Sequence, residues 1–184
     1  MVQNHFTATG IVFNPTGKIL MMKHKKLGVW LPPGGHIDDN ELPCDACLRE
    51  IFEETGVNAK IVSANTPIGT GDDCKELAQP LVILLEDIAI PVSHDTDGAE
   101  TTNASTAFFA TGSVDVKRNC DIEQNWRHNH IDLVYMCRAE SDSIVQNDES
   151  DEVGWFSPEE VQLLDTFENV RRVVAKAALR MAAI

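Results

Sequence analysis

The sequence predicts an α/β protein, in which strands and helices contribute to one core. Three observations support this class: strand-like segments fill the first third, a helix-like segment follows at about 43–55, and apolar residues recur at helical spacing after residue 165. With 184 residues and 43% apolar content, the chain is long enough for one substantial core. We predict a single domain over 1–184 with a polar insertion at about 91–127.

The first strands are rich in β-branched and aromatic residues and lie between turn signals. The segment "HFTATGIVFN" (5–14) predicts a strand, and Pro-Thr-Gly at 15–17 predicts the turn after it. "KILMMKH" (18–24) predicts the returning strand. "VWL" (29–31) leads into Pro-Pro-Gly-Gly at 32–35, which we expect to form a loop.

The segment from Pro43 to Thr55 predicts a helix. Proline suits the first helical turn, Asp45 complements the positive end of the helix dipole, and Gly56 suits a C-terminal cap. Leu42 stands where Ser or Thr is the usual N-cap. We therefore expect a helix with clear ends but no side-chain cap at its start.

Further elements follow the helix. "NAKIVSA" (58–64), "PLVILLEDIAI" (80–90) and "HIDLVYMCRA" (130–139) predict strands, the second apolar enough to be central in a sheet. Ser157 and Glu160 form a capping box that starts a helical end. Beyond it, a stripe at helical spacing predicts core packing: Phe167, Val170, Val173, Val174, Ala177 and Met181.

Charge and composition limit the partners. The net charge of -14, from 29 acidic and 15 basic residues, disfavours nucleic acid but is compatible with a small anionic substrate whose charge is neutralised by metal ions. No apolar run approaches the ~20 residues that span a bilayer, and the N-terminal residues lack a signal-peptide pattern. The five scattered cysteines indicate reduced thiols. We expect a cytoplasmic protein without a membrane partner.

Three glutamates are concentrated within about one turn of the predicted helix. Glu50, Glu53 and Glu54 are spaced so that they share one helix face and repel each other. Clustered carboxylate oxygens are hard ligands suited to Mg²⁺ or Mn²⁺, and bound cations would remove the repulsion. Cations that bridge a pyrophosphate also mask its charge and activate water. The cluster therefore predicts a metal site for a polyphosphate substrate.

The spacing around these acids extends upstream of the helix. Gly35 is followed after five residues by Glu41, and after seven more by "REIFEETGV" (49–57). This pattern resembles the signature of the Nudix hydrolases at every specified position. The resemblance implies the Nudix fold, a mixed β-sheet sandwiched between α-helices with a loop-helix-loop motif. It also implies metal-dependent hydrolysis of a pyrophosphate bond in a nucleoside diphosphate linked to another moiety.

The resemblance implies a role for each matching acid. Glu53 and Glu54 would be the principal ligands of Mg²⁺, with Mn²⁺ as a possible substitute. The backbone carbonyl of Gly34 would be a further ligand, at a place where close approach favours glycine. Glu50 would be another metal ligand or the general base.

Neighbouring residues would position these acids or contact the substrate. Arg49 can reach Glu53 one turn on, so it would orient the carboxylates. Glu41 would hold the loop to the helix or bind metal through water. Gly35 and His36 precede the helix on the substrate side, where His36 would contact a phosphate oxygen or stabilise the loop.

Other candidates lie later in the chain. Nudix enzymes often take another acidic ligand from a late loop, and Glu149 and Glu152 are available, with Glu152 favoured over Glu149. A solvated acidic turn is the more common outcome for such acidic runs. Trp126 is the best-placed tryptophan to stack on a substrate. The "HNH" at 128–130 has no matching ligand set in the sequence, so a surface or substrate-pocket position is favoured over metal binding.

The resemblance leaves the substrate open among nucleoside triphosphates, ADP-ribose and nucleotide sugars. A non-catalytic nucleotide-sensing module is the alternative, although loss of the acids, the usual route to such modules, is not seen. Capped RNA is disfavoured by the acidic charge. Many relatives form homodimers, but nothing in this chain requires one.

Overall fold

A computed structural model of the chain describes residues 2–62, 69, 72–89, 127–145 and 150–184. Strands and helices alternate along these residues. In chain order they are β1 (Gln3–Phe13), β2 (Ile19–His24), β3 (Trp30–Leu31), β4 (Gly34–His36), α1 (Pro43–Thr55), β5 (Ala59–Ile61), β6 (Val82–Ala89), β7 (Arg127–Ala139), β8 (Ser150–Phe156), α2 (Pro158–Val161) and α3 (Glu168–Met181).

The strands form one mixed sheet. Its central path runs β3-β2-β1-β7-β5, while β4 pairs with β1, β6 with β7 and β8 with β2. The β1–β7 pair is parallel and extends from Gln3 opposite His128 to Phe13 opposite Arg138. The other strand pairs are antiparallel. The predicted mixed sheet of an α/β protein is thereby confirmed.

The two faces of the sheet pack against different helices because side chains alternate along each strand. On β1, Ile11 and Phe13 belong to a core that includes Val174 of α3. Ala8 of β1 belongs to the core on the other face, which includes Ile51 of α1. The sheet is therefore sandwiched between α1 and α3, as the resemblance implied.

The helix ends agree with their local signals. Helix α1 covers the predicted residues, and Leu42 provides no side-chain cap. Gly56 adopts a left-handed conformation with φ of 67° and donates its N–H to the Phe52 carbonyl. The capping box at Ser157 and Glu160 is present, although α2 is only four residues long. These ends are set by backbone geometry within a few residues, so the sequence predicts them well.

The loop expected over 32–35 is wrong in part, because Gly34 and Gly35 belong to β4 and pair with β1. A Cβ on Gly34 would lie 2.7 Å from the Ala8 carbonyl oxygen and 2.8 Å from the Thr9 Cα. Glycine at position 34 therefore lets β4 approach β1 closely. Sheet packing gives a reason for this glycine that is independent of a ligand.

The central position expected for the apolar segment 80–90 is also wrong. Among the described residues, β6 pairs only with β7. Its Val82 and Leu84 pack toward the α3 core, whereas Ile83 and Leu85 are 59% and 70% exposed. The apolar run thus covers one buried face of an edge strand. Residues 91–126 of the predicted insertion lie outside the described residues, and its last residue begins β7.

Among the helices that the structure describes, none combines the length and hydropathy that a bilayer span requires.

Candidate active site

Helix α1 is buried along one side and carries acids along the other. Its buried residues, Ala46, Cys47, Ile51 and Thr55, pack against the sheet or face the interior. Thr55 closes the helix by donating its hydroxyl to the Ile51 carbonyl. The side that these residues leave uncovered carries the glutamates predicted from the sequence.

Arg49 is the centre of what we call the carboxylate network, formed by Glu41, Arg49, Glu50 and Glu53. Its Nε and Nη2 donate to the two oxygens of Glu41, each at 2.9 Å. Its Nη1 donates to Glu50 Oε1 at 2.8 Å and to Glu53 Oε2 at 3.0 Å. The bidentate pair fixes the guanidinium plane. One cation therefore orients three carboxylates.

The loop before α1 is tied to the same network. Arg49 Nη2 donates to the His36 carbonyl at 3.0 Å, and Glu41 Oε2 accepts the Asp38 N–H at 3.0 Å. The Arg49 guanidinium, through its hydrogen bonds, lowers the pKa of the Glu41 carboxyl. Glu41 is therefore held ionised between the loop and the helix. This contact agrees with the loop-holding role proposed for it.

Strand β4 brings backbone against the acids. The Gly34 N–H donates to Glu54 Oε2 at 2.9 Å. A Cβ on Gly35 would lie 2.5 to 2.7 Å from the carboxyl atoms of Glu50. A side chain at position 35 would therefore displace the Glu50 carboxylate from the position in which Arg49 holds it. The double glycine is thus part of the site's geometry.

The site keeps a surplus of negative charge. The network contains three carboxylates and one guanidinium, and Glu54 adds a fourth carboxylate beside it. The Glu53 side chain is 56% exposed, whereas that of Glu50 is 15% exposed. An exposed cluster of hard oxygen donors with unbalanced charge fits a divalent cation such as Mg²⁺. The donor set is therefore compatible with the metal that the sequence predicts.

The later candidates are not joined to this network. Glu152 lies on β8 opposite Lys23 of β2, with their Nζ and Oε1 atoms 3.4 Å apart. By strand alternation it shares the sheet face of Phe156, which packs with the α3 core. Among the described residues, Glu152 contacts none of the network. Glu149 and Trp126 lie outside the described residues.

A second group of polar side chains, which the sequence did not predict as a unit, lies on the α3 side of the sheet. We call His5, His36, His128 and His130 the histidine cluster. The His36 ring centroid is 4.9 Å from that of His130 and 5.4 Å from that of His5. The only sequence signal was the alternating "HNH", which places His128 and His130 on one strand face but does not show what that strand pairs with.

Buried acids adjoin this cluster. Asp132 accepts hydrogen bonds from Thr7 Oγ1 at 3.1 Å and Thr9 Oγ1 at 3.0 Å, and burial raises its pKa. Glu86 accepts from Asn169 Nδ2 at 2.9 Å. Burial, followed by the charge of Asp132, raises the pKa of Glu86 to about 7. This face of the sheet is therefore poorly solvated, unlike the outer side of α1.

Comparisons with known proteins agree on one family. A model of the NUDIX domain matches residues 3–105. A putative 8-oxo-dGTP diphosphatase of Bacillus subtilis (strain 168) is 45% identical over 51 residues, which are 28% of this chain and 34% of that protein. The m7GpppN-mRNA hydrolase NUDT17 of Danio rerio is 60% identical over 30 residues, 16% of this chain and 10% of that protein.

A solved structure resembles the whole chain. The crystal structure of a hydrolase of the NUDIX family from Clostridium perfringens is 26% identical, with a TM-score of 0.65 and coverage of 95% of both chains. By contrast, the matches to the two proteins above span about a third or less of their lengths.

Proposed function

The chain belongs to the NUDIX domain family, and from this premise we propose that it hydrolyses a pyrophosphate bond in a nucleoside diphosphate linked to another moiety. The observation that carries the proposal is the carboxylate network, in which one guanidinium orients three carboxylates and leaves negative charge in excess. Such an arrangement is costly in a folded protein unless a cation completes it.

A divalent cation fits this donor set. Glu53, Glu54 and Glu50 are the residues that would hold it, with the Gly34 carbonyl as a further oxygen donor, and Mg²⁺ is proposed ahead of Mn²⁺. When bound, such an ion supplies charge neutralisation to the pyrophosphate and acidity to water. Glu152 is not included among these ligands, because strand alternation places it on the α3 face of the sheet, where it pairs with Lys23.

The chain's own residues prepare the site before substrate arrives. Arg49 binds both oxygens of Glu41 and one oxygen each of Glu50 and Glu53, so these carboxylates are held near one another before ligands bind. The Gly34 N–H holds Glu54 in one orientation. Glu50, which lies against Gly35 and accepts from Arg49, would either complete the metal ligands or accept a proton from the attacking water. Preorganisation of this kind contributes to catalysis because it is complete before the transition state forms.

The proposed substrates are small nucleotides: nucleoside triphosphates, ADP-ribose or nucleotide sugars. The similarity to an 8-oxo-dGTP diphosphatase supports testing normal and oxidised triphosphates first. The chain is also similar to an mRNA cap hydrolase, but its net charge of -14 opposes a polyanionic partner. Capped RNA is therefore included in the screen, and its hydrolysis in preference to free nucleotides would replace the proposed substrate class.

The decisive experiment is hydrolysis of a nucleotide panel with Mg²⁺, followed by product analysis, for the wild type, Glu53→Gln and Glu54→Gln. Each variant should lose at least about 100-fold in kcat, because a metal contributes several kcal/mol to such reactions. Glu168→Gln is the matched control, since Glu168 is an exposed glutamate on α3 that pairs with Arg172. Its activity should remain within about twofold of the wild type, as for a surface ion pair.

Two results would contradict the proposal. Near-normal turnover by both network variants would remove the assigned roles from Glu53 and Glu54. Specific nucleotide binding without release of any product from the whole panel would favour the alternative, a non-catalytic nucleotide-sensing module.

Cytoplasmic location also remains part of the proposal. Cys47 and Cys137 are both buried, with their Sγ atoms 4.0 Å apart and no disulfide between them. Reduced thiols in such a position are typical of a reducing compartment.

A further inference from the structure

Three histidines meet on the sheet face opposite α1. The parallel register places His5 of β1 directly opposite His130 of β7. His128 precedes His130 by two residues, so alternation along the strand places both on the same face. Although 123 residues of chain separate His5 from His128 in sequence, strand pairing brings their rings to a centroid distance of 4.8 Å.

Their nitrogen atoms are spaced as ligands to one ion would be. One ring nitrogen from each of His5, His128 and His130 lies within 4.8 Å of the others. The Nε2 atoms of His128 and His130 are 3.2 Å apart. Two imidazoles bound to one tetrahedral Zn²⁺ at about 2.0–2.1 Å would have nitrogens about 3.3 Å apart. The nitrogens of His128 and His130 are therefore at the spacing that a shared ion requires, and all three ligand nitrogens lie within 4.8 Å of one another.

We propose that His5, His128 and His130 bind one transition-metal ion of the Zn²⁺, Co²⁺ or Ni²⁺ type, at a site distinct from the carboxylate network. Imidazole suits these ions, whereas Mg²⁺ prefers the oxygen donors found on α1. The inference goes beyond the proposed hydrolysis and does not depend on it.

The surroundings of His130 favour the neutral imidazole, which is the form that binds metal. Burial, together with the neighbouring histidines, lowers the pKa of His130 to about 4. Asp132, on the same strand face, is engaged by Thr7 and Thr9. All three histidines are only half-buried, so an ion can reach them from solvent. A hydrogen bond between His128 and His130 also accounts for their contact, and the experiment separates it from metal binding.

The test is titration of the chelator-treated full chain with Co²⁺, followed in the visible spectrum. One equivalent should give the intense bands of four- or five-coordinate cobalt, and one equivalent of Zn²⁺ should remove them. His5→Gln, His128→Gln and His130→Gln should each weaken Co²⁺ binding at least about tenfold. His24→Gln is the matched control, because His24 lies at the end of β2 outside the cluster, and it should bind as the wild type does.

A second pair of variants separates this site from the carboxylate network. Glu53→Gln and Glu54→Gln should retain the cobalt bands, whereas loss of the bands in these variants would overturn the proposal. Persistence of the bands in the triple histidine variant, or near-ultraviolet thiolate bands, would also overturn it.

Histidine ring NMR of the wild type tests the same site without any substitution. Co²⁺ should shift the signals of His5, His128 and His130 and leave that of His24 unchanged. Signals that respond to inorganic phosphate but not to Co²⁺ would show an anion site and overturn the proposal.

Discussion

The carboxylate network and the histidine cluster lie on opposite faces of the sheet and are joined by β4. Gly35 makes room for Glu50 on the α1 side. The next residue, His36, offers its carbonyl to Arg49 and its ring to His130. A strand of three residues therefore contacts both groups. Movement of β4 would therefore change contacts in the carboxylate network and in the histidine cluster.

The two groups differ in charge, solvation and donor type. The network has oxygen donors, an internal guanidinium and an exposed acid, Glu53. The cluster has nitrogen donors, of which His5, His128 and His130 are half-buried and His36 is exposed. Glu86, opposite His130 on β6, has a pKa raised by burial. Oxygen donors suit Mg²⁺, whereas imidazole nitrogens suit Zn²⁺. The two faces of one small sheet can therefore carry donor sets that suit different cations.

Removing and replacing the metal ion gives the largest expected effect, because it tests whether the carboxylate network and the histidine cluster take different ions. Chelator treatment should reduce hydrolysis by about 1,000-fold, because the proposed ion contributes several kcal/mol to the transition state. Millimolar Mg²⁺ should restore it. One equivalent of Zn²⁺ alone should not, since imidazole nitrogens would take it first. Product formation measured after each addition checks this, and full activity in chelator would contradict the assignment of metal to α1.

Arg49→Lys tests whether orientation, rather than charge, makes the network work. Lysine keeps the positive charge but loses the fork that binds Glu41 through two hydrogen bonds. We expect kcat to fall about 10- to 100-fold and the Mg²⁺ requirement to rise, as for residues that orient metal ligands. Arg172→Lys on α3, an exposed arginine paired with Glu168, is the control. Equal kinetics for both variants would refute the orienting role.

Glu86→Gln tests whether Glu86, beside the histidine cluster, is shielded from solvent. Burial raises the native pKa of Glu86 to about 7, above its ordinary value, so between the two values the native state holds more protons than the unfolded state. The free energy of unfolding therefore falls as pH rises through that window. Relative to Glu86→Gln, the wild type should lose about 2 kcal/mol between pH 5 and 8.

Urea unfolding of both proteins at the two pH values, without metal, measures this difference. Glu140→Gln is the control, because Glu140 is an exposed acid paired with Lys60. A difference between wild type and Glu86→Gln that is independent of pH would show that Glu86 is solvated.

Gly35→Ala gives the smallest expected effect. The added methyl group would lie 2.5 to 2.7 Å from the carboxyl atoms of Glu50, which is well inside van der Waals contact, so the carboxylate must turn away from Arg49. We expect kcat/KM to fall about tenfold, the effect of misplacing one group by a fraction of an ångström. The thermal midpoint should change little, since Glu50 lies outside the apolar cores. Unchanged kinetics would show that Glu50 has another productive orientation.

Elements with local signals were predicted well. Helix α1 has the expected ends because Pro43 and Gly56 act within one turn of them. The capping box at Ser157 follows the same logic. The edge position of β6 was missed because an apolar strand does not show which side its partner lies on. The hydrogen bond from the Gly34 N–H to Glu54 could not be predicted, because the sequence indicates a loop where β4 forms.

The sequence by itself determined the family pattern and the acid face of α1, because helical geometry places residues three and four apart on one side. It also made Arg49 available to Glu53, one turn away. Only the tertiary structure decided that Arg49 also binds Glu41 and that His5 meets His128 and His130. Those contacts depend on a loop folding back on a helix and on parallel pairing between distant strands, whose partners and register no local pattern specifies.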